Sequence, residues 1–152
     1  MSIAITRAES YDSGEVRRAF ARLFDLLGYD CENPLGGIIK PGDKVFIKPN
    51  WVAHQYRKSC KCQDSVWCTI THPEVIRATA EFAARALQGK GRIRIGDNPS
   101  IDADFDQLRA LVKLDDLTTS LGVPVEILDL RPLRCVDLKD YGKKPRYSKS
   151  WK

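Results

Sequence analysis

The sequence predicts an α/β fold, a mostly parallel sheet with helices packed on it, incomplete at its C-terminal end. Three observations carry that prediction. Short β-prone runs alternate with helical periodicity in the order β-α-β-loop-α-β-α-β. Most successive runs lie far enough apart to allow the crossover that parallel neighbours need. Beyond Asp129 the pattern dissolves without a closing apolar element.

Ile3-Ala4-Ile5 reads as the first short strand, and after Asp12 the apolar residues Val16, Phe20, Leu23, Phe24 and Leu27 recur at the spacing of one helical face. Asp12 with Glu15 resembles a capping box, and Gly28 is a plausible stop because it tolerates the left-handed conformation that ends helices. A loop at Asn33-Pro34-Leu35-Gly36-Gly37 and a turn at Pro41-Gly42-Asp43 lead into Val45-Phe46-Ile47, whose unbroken apolar character predicts a buried central strand. From Lys48 to Thr71 no periodicity is sustained. A connection this long inside a compact domain marks a functional or ligand-ordered loop.

Thr71-His72-Pro73-Glu74 offers a second capping box with an early proline, opening a helix through Val75, Thr79, Phe82, Ala83 and Ala86 to Gly89. Arg92-Ile93-Arg94-Ile95 alternates with period two, which predicts a strand with one wetter face near a sheet edge. After the turn Gly96-Asp97-Asn98-Pro99-Ser100, Asp104 caps a third helix carrying Phe105, Leu108, Leu111 and Val112. A short helix ending at Gly122 and a strand through Val123, Val125 and Ile127 complete the order.

At 152 residues the chain suits one α/β domain over 1–130, followed by a basic C-terminal extension over 131–152. The charge distribution supports that division. The net charge is +5, yet residues 1–130 carry 17 basic against 18 acidic side chains and residues 131–152 carry 8 against 2. A basic tail with Tyr141, Tyr147 and Trp151 invites comparison with RNA-binding segments, but a solvated extension explains it and nucleic acid is the lesser reading. There is no export signal and no stretch near the roughly 20 apolar residues that cross a bilayer, so the expectation is a cytoplasmic protein without a membrane span. The oligomeric state is not legible.

In an open parallel sheet, ligands gather beyond the carboxyl ends of the strands, where loops converge and helix N-termini present unpaired N–H groups. Three segments should meet there: Lys48-Pro49-Asn50, Thr71-His72-Pro73-Glu74 and Gly96-Asp97-Asn98-Pro99-Ser100. Lys48 offers a point charge, Asn50 and Asn98 offer amide donors and acceptors, and Thr71 offers a hydroxyl, a set suited to a small anionic molecule. His72 and Asp97 are the catalytic candidates, the first for proton exchange and the second to orient it, act as a base or hold a divalent metal. Each has a plainer explanation. Lys48 suits a solvated strand end, Thr71 with Glu74 a helix cap, and Asp97-Asn98-Pro99 an ordinary turn.

His54, Cys60, Cys62, Cys68 and His72 form a second constellation, in which Cys60, Cys62 and Cys68 are the candidate ligands for zinc or an iron-sulfur cluster. Paired C-x-x-C knuckles are missing, so unligated loop thiols are the competing reading. Neither a dinucleotide fingerprint nor a P-loop nor a nucleophile elbow is present.

Three blocks in order, Val45-Phe46-Ile47-Lys48-Pro49-Asn50-Trp51-Val52, Thr71-His72-Pro73-Glu74-Val75-Ile76-Arg77-Ala78 and Gly91-Arg92-Ile93-Arg94-Ile95-Gly96-Asp97-Asn98-Pro99, resemble domain-of-unknown-function family 362. The resemblance covers about residues 43–129. Members are usually longer, which implies that this chain corresponds to an N-terminal portion. Some members are associated with ferredoxin-type iron-sulfur modules, whose cysteine array this sequence lacks, and others resemble proteins of surface-polysaccharide loci. Neither context defines a reaction. The sequence thus supports an anion-binding α/β protein, enzymatic if His72 and Asp97 do chemistry. A metal or iron-sulfur module and a non-catalytic interaction module are the alternatives.

Overall fold

A computed structural model of the chain describes residues 3–55 and 66–131. Helix α1 (Ser13–Leu26) is followed by strand β1 (Lys44–Ile47), a short 3-10 turn (Val66–Cys68), helix α2 (Pro73–Leu87), strand β2 (Arg92–Asp97), helices α3 (Phe105–Val112) and α4 (Leu117–Ser120), and strand β3 (Val125–Asp129). The strands form one parallel sheet in the order β1-β2-β3, with Val45 opposite Ile93 and Ile93 opposite Val125.

Strand periodicity puts every second side chain on one face, and Val45, Ile47, Ile93, Ile95, Val125 and Ile127 share the face that joins the core. Ile93 and Ile95 are fully buried there with Ile76, Leu87 and Leu108. Each stabilises the fold by about 1.5–3 kcal/mol relative to an exposed side chain. α2 packs on β1 and β2, and α1 packs on α2 as an outer layer. The α1 contact is aromatic: Phe82 meets Phe20 at 5.8 Å and Phe24 edge-on at 5.0 Å between ring centroids. A two-bonded Arg17–Glu81 pair at 2.6 and 2.7 Å flanks it. Gly91 makes the entry to β2 possible. Its φ is +100°, and a Cβ there would lie 2.3 Å from the Asp43 carbonyl.

The α/β class and the parallel sheet match the sequence expectation, and four details differ. Ile3-Ala4-Ile5 is not a strand. No strand among the described residues pairs with it, and Ile3 and Ile5 are 86% and 84% exposed. β1 is an edge strand with Phe46 on the open face of the sheet, while β2 takes the central position. The wetter face of β2 arises because Arg92 and Arg94 lie on that open face, where Arg94 pairs with Glu126 of β3 at 2.7 Å. Alternation of this kind marks a sheet with one open face as readily as a sheet edge. The cap of α2 is His72 rather than Thr71. Lastly, the third strand begins at Val125, two residues later than the pattern implied.

Candidate functional site

β2 ends at Asp97, and this residue organises the carboxyl edge of the sheet. It is 5% exposed, yet Lys48 reaches it from the end of β1 with Nζ 2.6 Å from Oδ1. The Trp51 backbone N–H donates to Oδ2 at 2.6 Å, and the Leu130 N–H, just past β3, donates to the Asp97 carbonyl at 2.8 Å. One residue therefore ties the ends of all three strands together. Burial pushes the Asp97 carboxyl pKa up, but the Lys48 ammonium and the N–H groups of Trp51 and Asn98 outweigh it and hold the group below its ordinary value. Asp97 is thus a charged acceptor with both oxygens engaged. Asn98 itself is exposed.

The segment leaving β1 is fastened on its other side to the residues before α2. The Asn50 N–H donates to the Thr71 hydroxyl at 2.9 Å, the Thr71 N–H donates to the Asn50 carbonyl at 2.8 Å, and the Asn50 Nδ2 donates to the Thr69 carbonyl at 3.2 Å. Trp51 and Ile70 form an antiparallel bridge between them. Trp51 is fully buried with its ring 6.2 Å from Phe105, and its indole N–H has no hydrogen-bond partner among the described residues. Further along, the Val52 carbonyl accepts from both the N–H and the hydroxyl of Ser100, and the Asp104 N–H donates to His54 Nδ1 at 2.9 Å.

His72 caps α2. Its Nδ1 accepts from the Glu74 N–H at 3.3 Å, a job usually done by Ser, Thr, Asp or Asn. The imidazole is stacked on Tyr11 at 4.0 Å and tilted against Trp67 at 4.8 Å. Burial lowers its pKa, with Glu74 acting weakly in the opposite direction.

The expected residues thus fall into two bonded pairs and a neighbour. Lys48 meets Asp97, Asn50 meets Thr71, and Trp51 belongs to both groups through its backbone. His72 follows Thr71 directly, but its side chain engages Tyr11, Trp67 and its own helix rather than Asp97. Tyr11 and Trp67 carry no signal in the sequence, because their roles come from ring contacts with His72, whereas Ser100 lies in one of the three segments expected at this edge and Trp51 in the resemblance block. Of the cysteine ligands, Cys60 and Cys62 lie outside the described residues, and Cys68 is exposed. No group of three His, Cys, Asp or Glu among the described residues is placed to hold a metal ion. No helix of the described residues is long and apolar enough to cross a membrane.

Comparison with known proteins adds a family and a relative. The sequence model described as "Domain of unknown function (DUF362)" matches residues 45–151. It begins at β1 and continues through most of the basic stretch after residue 130. "Thylakoid-associated protein sll1697" of Synechocystis sp. is 31% identical over 99 residues, covering 65% of this chain. The aligned part is 26% of that relative, so the chain spans about a quarter of its length. No solved structure matches.

Proposed function

The chain belongs to the DUF362 family, and from that premise we propose that it binds a small anionic ligand at the carboxyl edge of its sheet, centred on Lys48. One observation carries the reading: the ammonium of a side chain 61% exposed is held at 2.6 Å by a carboxylate that is almost wholly buried. An ammonium has three N–H donors. Asp97 occupies one and fixes the direction of the others, so the exposed side of Lys48 is prepared for a second acceptor before any ligand arrives.

The surroundings support an anion. Asn50 uses one of its two amide N–H donors on Thr69, while the Thr71 hydroxyl accepts from the Asn50 backbone N–H and still has its own proton to donate. Asn98 is exposed beside Asp97. Any proton transfer at this edge falls to His72 and Asp97, and the engagement of both Asp97 oxygens favours a positioning role for it.

Isothermal titration and thermal unfolding with inorganic phosphate and with malonate, at low salt, test the proposal. Saturable binding by the wild-type chain, lost in K48M with the fold monitored by circular dichroism, is the expected result. Equal binding by wild type and K48M overturns it.

A further inference from the structure

We propose that the open face of the sheet is a docking surface for an amphipathic helix of another protein, apolar along one stripe and acidic along its flanks. The inference stands apart from the anion site at the carboxyl edge.

The topology leaves this face bare. β1 connects to β2 through α2, and β2 connects to β3 through α3 and α4. The sheet order β1-β2-β3 means that both crossovers step the same way. Right-handed crossovers that step the same way lay their helices on the same face. The core agrees, since Ile76 and Ala83 of α2, Leu108 of α3 and Leu117 of α4 share one cluster with Ile93 and Val125. Covering the second face from within needs a reversal of strand order, which the described residues do not contain. All-parallel sheets occur almost wholly with helices on both faces, so this face is suited to a second helical layer.

Its side chains describe that layer. Register puts Phe46 level with Arg94 and Glu126, Lys44 level with Arg92, and Gly96 level with Leu128. Phe46 is 44% exposed, an aromatic ring of the kind that anchors protein interfaces. Gly96 leaves bare backbone beside Leu128, and bare backbone within a strand lets another backbone come close. A ring, a leucine and a glycine make an apolar floor for the stripe of a helix.

Charge decides the flanks. Arg94 is paired with Glu126 at 2.7 Å. Lys44 and Arg92 stand opposite each other on neighbouring strands, whose backbones lie about 5 Å apart. Neither meets a carboxylate among the described residues. Like charges placed this way destabilise a sheet, and an acidic group laid over them relieves the repulsion. The face carries three basic side chains against one acidic, which disfavours two other occupants. A second copy brings the same cationic excess, and the extension over 131–152 has 8 basic against 2 acidic side chains.

Two helix-stabilised peptides sharing one leucine stripe, flanked in the first by glutamate and in the second by lysine, test the proposal by fluorescence anisotropy with the full chain at low salt. The glutamate peptide should bind saturably and at least about tenfold more tightly than the lysine peptide, with the gap closing as salt rises. Amide shifts in the labelled protein should fall on Phe46, Arg94 and Gly96. F46S, a change at an exposed ring, should weaken binding about tenfold with the circular dichroism spectrum kept. K44E turns the Lys44–Arg92 repulsion into an attraction, so the unfolding midpoint should rise while the preference for the glutamate peptide shrinks or reverses. Equal affinity for the two peptides, binding of neither, or shifts confined to other surfaces overturns the proposal. So does a wild-type dimer that F46S disperses, which assigns the face to a second copy. A single-stranded oligonucleotide that displaces the glutamate peptide at equal concentration also overturns it and assigns the face to nucleic acid.

Discussion

Replacing Asp97 by alanine takes the acceptor away from the Lys48 ammonium and from the N–H groups of Trp51 and Asn98, and burial decides which loss dominates. Lys48 is 61% exposed and rehydrates at once, so the ion pair itself contributes at most about 1 kcal/mol. The Trp51 N–H lies in a buried hydrogen bond, and leaving it without an acceptor costs about 1–3 kcal/mol. D97A should therefore destabilise the chain by about 2–4 kcal/mol in urea unfolding, seen as a lower midpoint with little change in slope. The reverse deletion acts differently. K48M leaves a carboxylate that is 5% exposed without its cation, so it also destabilises and raises the Asp97 pKa. Once Asp97 is gone Lys48 has nothing left to neutralise. The D97A/K48M double variant should then match D97A to within about 0.5 kcal/mol, a strong non-additivity expected of directly bonded residues. A double variant clearly worse than D97A, or a D97A loss below about 0.5 kcal/mol, refutes the view that Asp97 holds the strand ends together.

Acid should weaken the fold in two windows. His72, whose charged neighbour is Glu74 and whose ring faces Tyr11 and Trp67, has a folded pKa below its ordinary 6.5. Its contribution is complete above that value and lost as pH falls through the folded one, and unfolding midpoints of H72N should lack this step. Asp97 is likewise held below its ordinary 3.8, so its contribution is lost only as pH falls further. F82A should cost about 3 kcal/mol and expose α1 to limited proteolysis, since Phe82 is 8% exposed and carries the α1 contact. R17A, which removes the partly exposed pair with Glu81, should cost under about 1 kcal/mol in the same assay. G96A should cost about 1–3 kcal/mol, because its Cβ would lie 2.7 Å from the Leu128 carbonyl between β2 and β3.

The legible parts of this molecule were those written in local chemistry. Asp12 and Asp104 cap α1 and α3 through their own side chains, and helical spacing located all three longer helices. Strand order was harder, because an apolar triplet such as Val45-Phe46-Ile47 looks the same in a buried strand and in an edge strand with Phe46 uncovered. Ile3 and Ile5 misled for a related reason: β propensity needs a neighbour to pair with, and none of the strands provides one. Thr71 carried every local sign of an N-cap. It lost that role because its hydroxyl is needed by Asn50, a residue 21 positions away, and His72 took over the cap.

That exchange connects the fold with the proposed chemistry. Had Thr71 capped α2, the Asn50 N–H would lack its acceptor and the segment after β1 would lose one of the bonds that fasten it. His72 would also be free to choose its tautomer. With Thr71 spent on Asn50 and Nδ1 spent on Glu74, one local compromise both secures the Lys48 segment and keeps α2 capped. Asp97 provides the second fastening through Trp51 and restrains the ammonium at the same time. The groups that hold this edge rigid are the groups that direct the Lys48 ammonium, so stability and anion affinity should fall together in D97A.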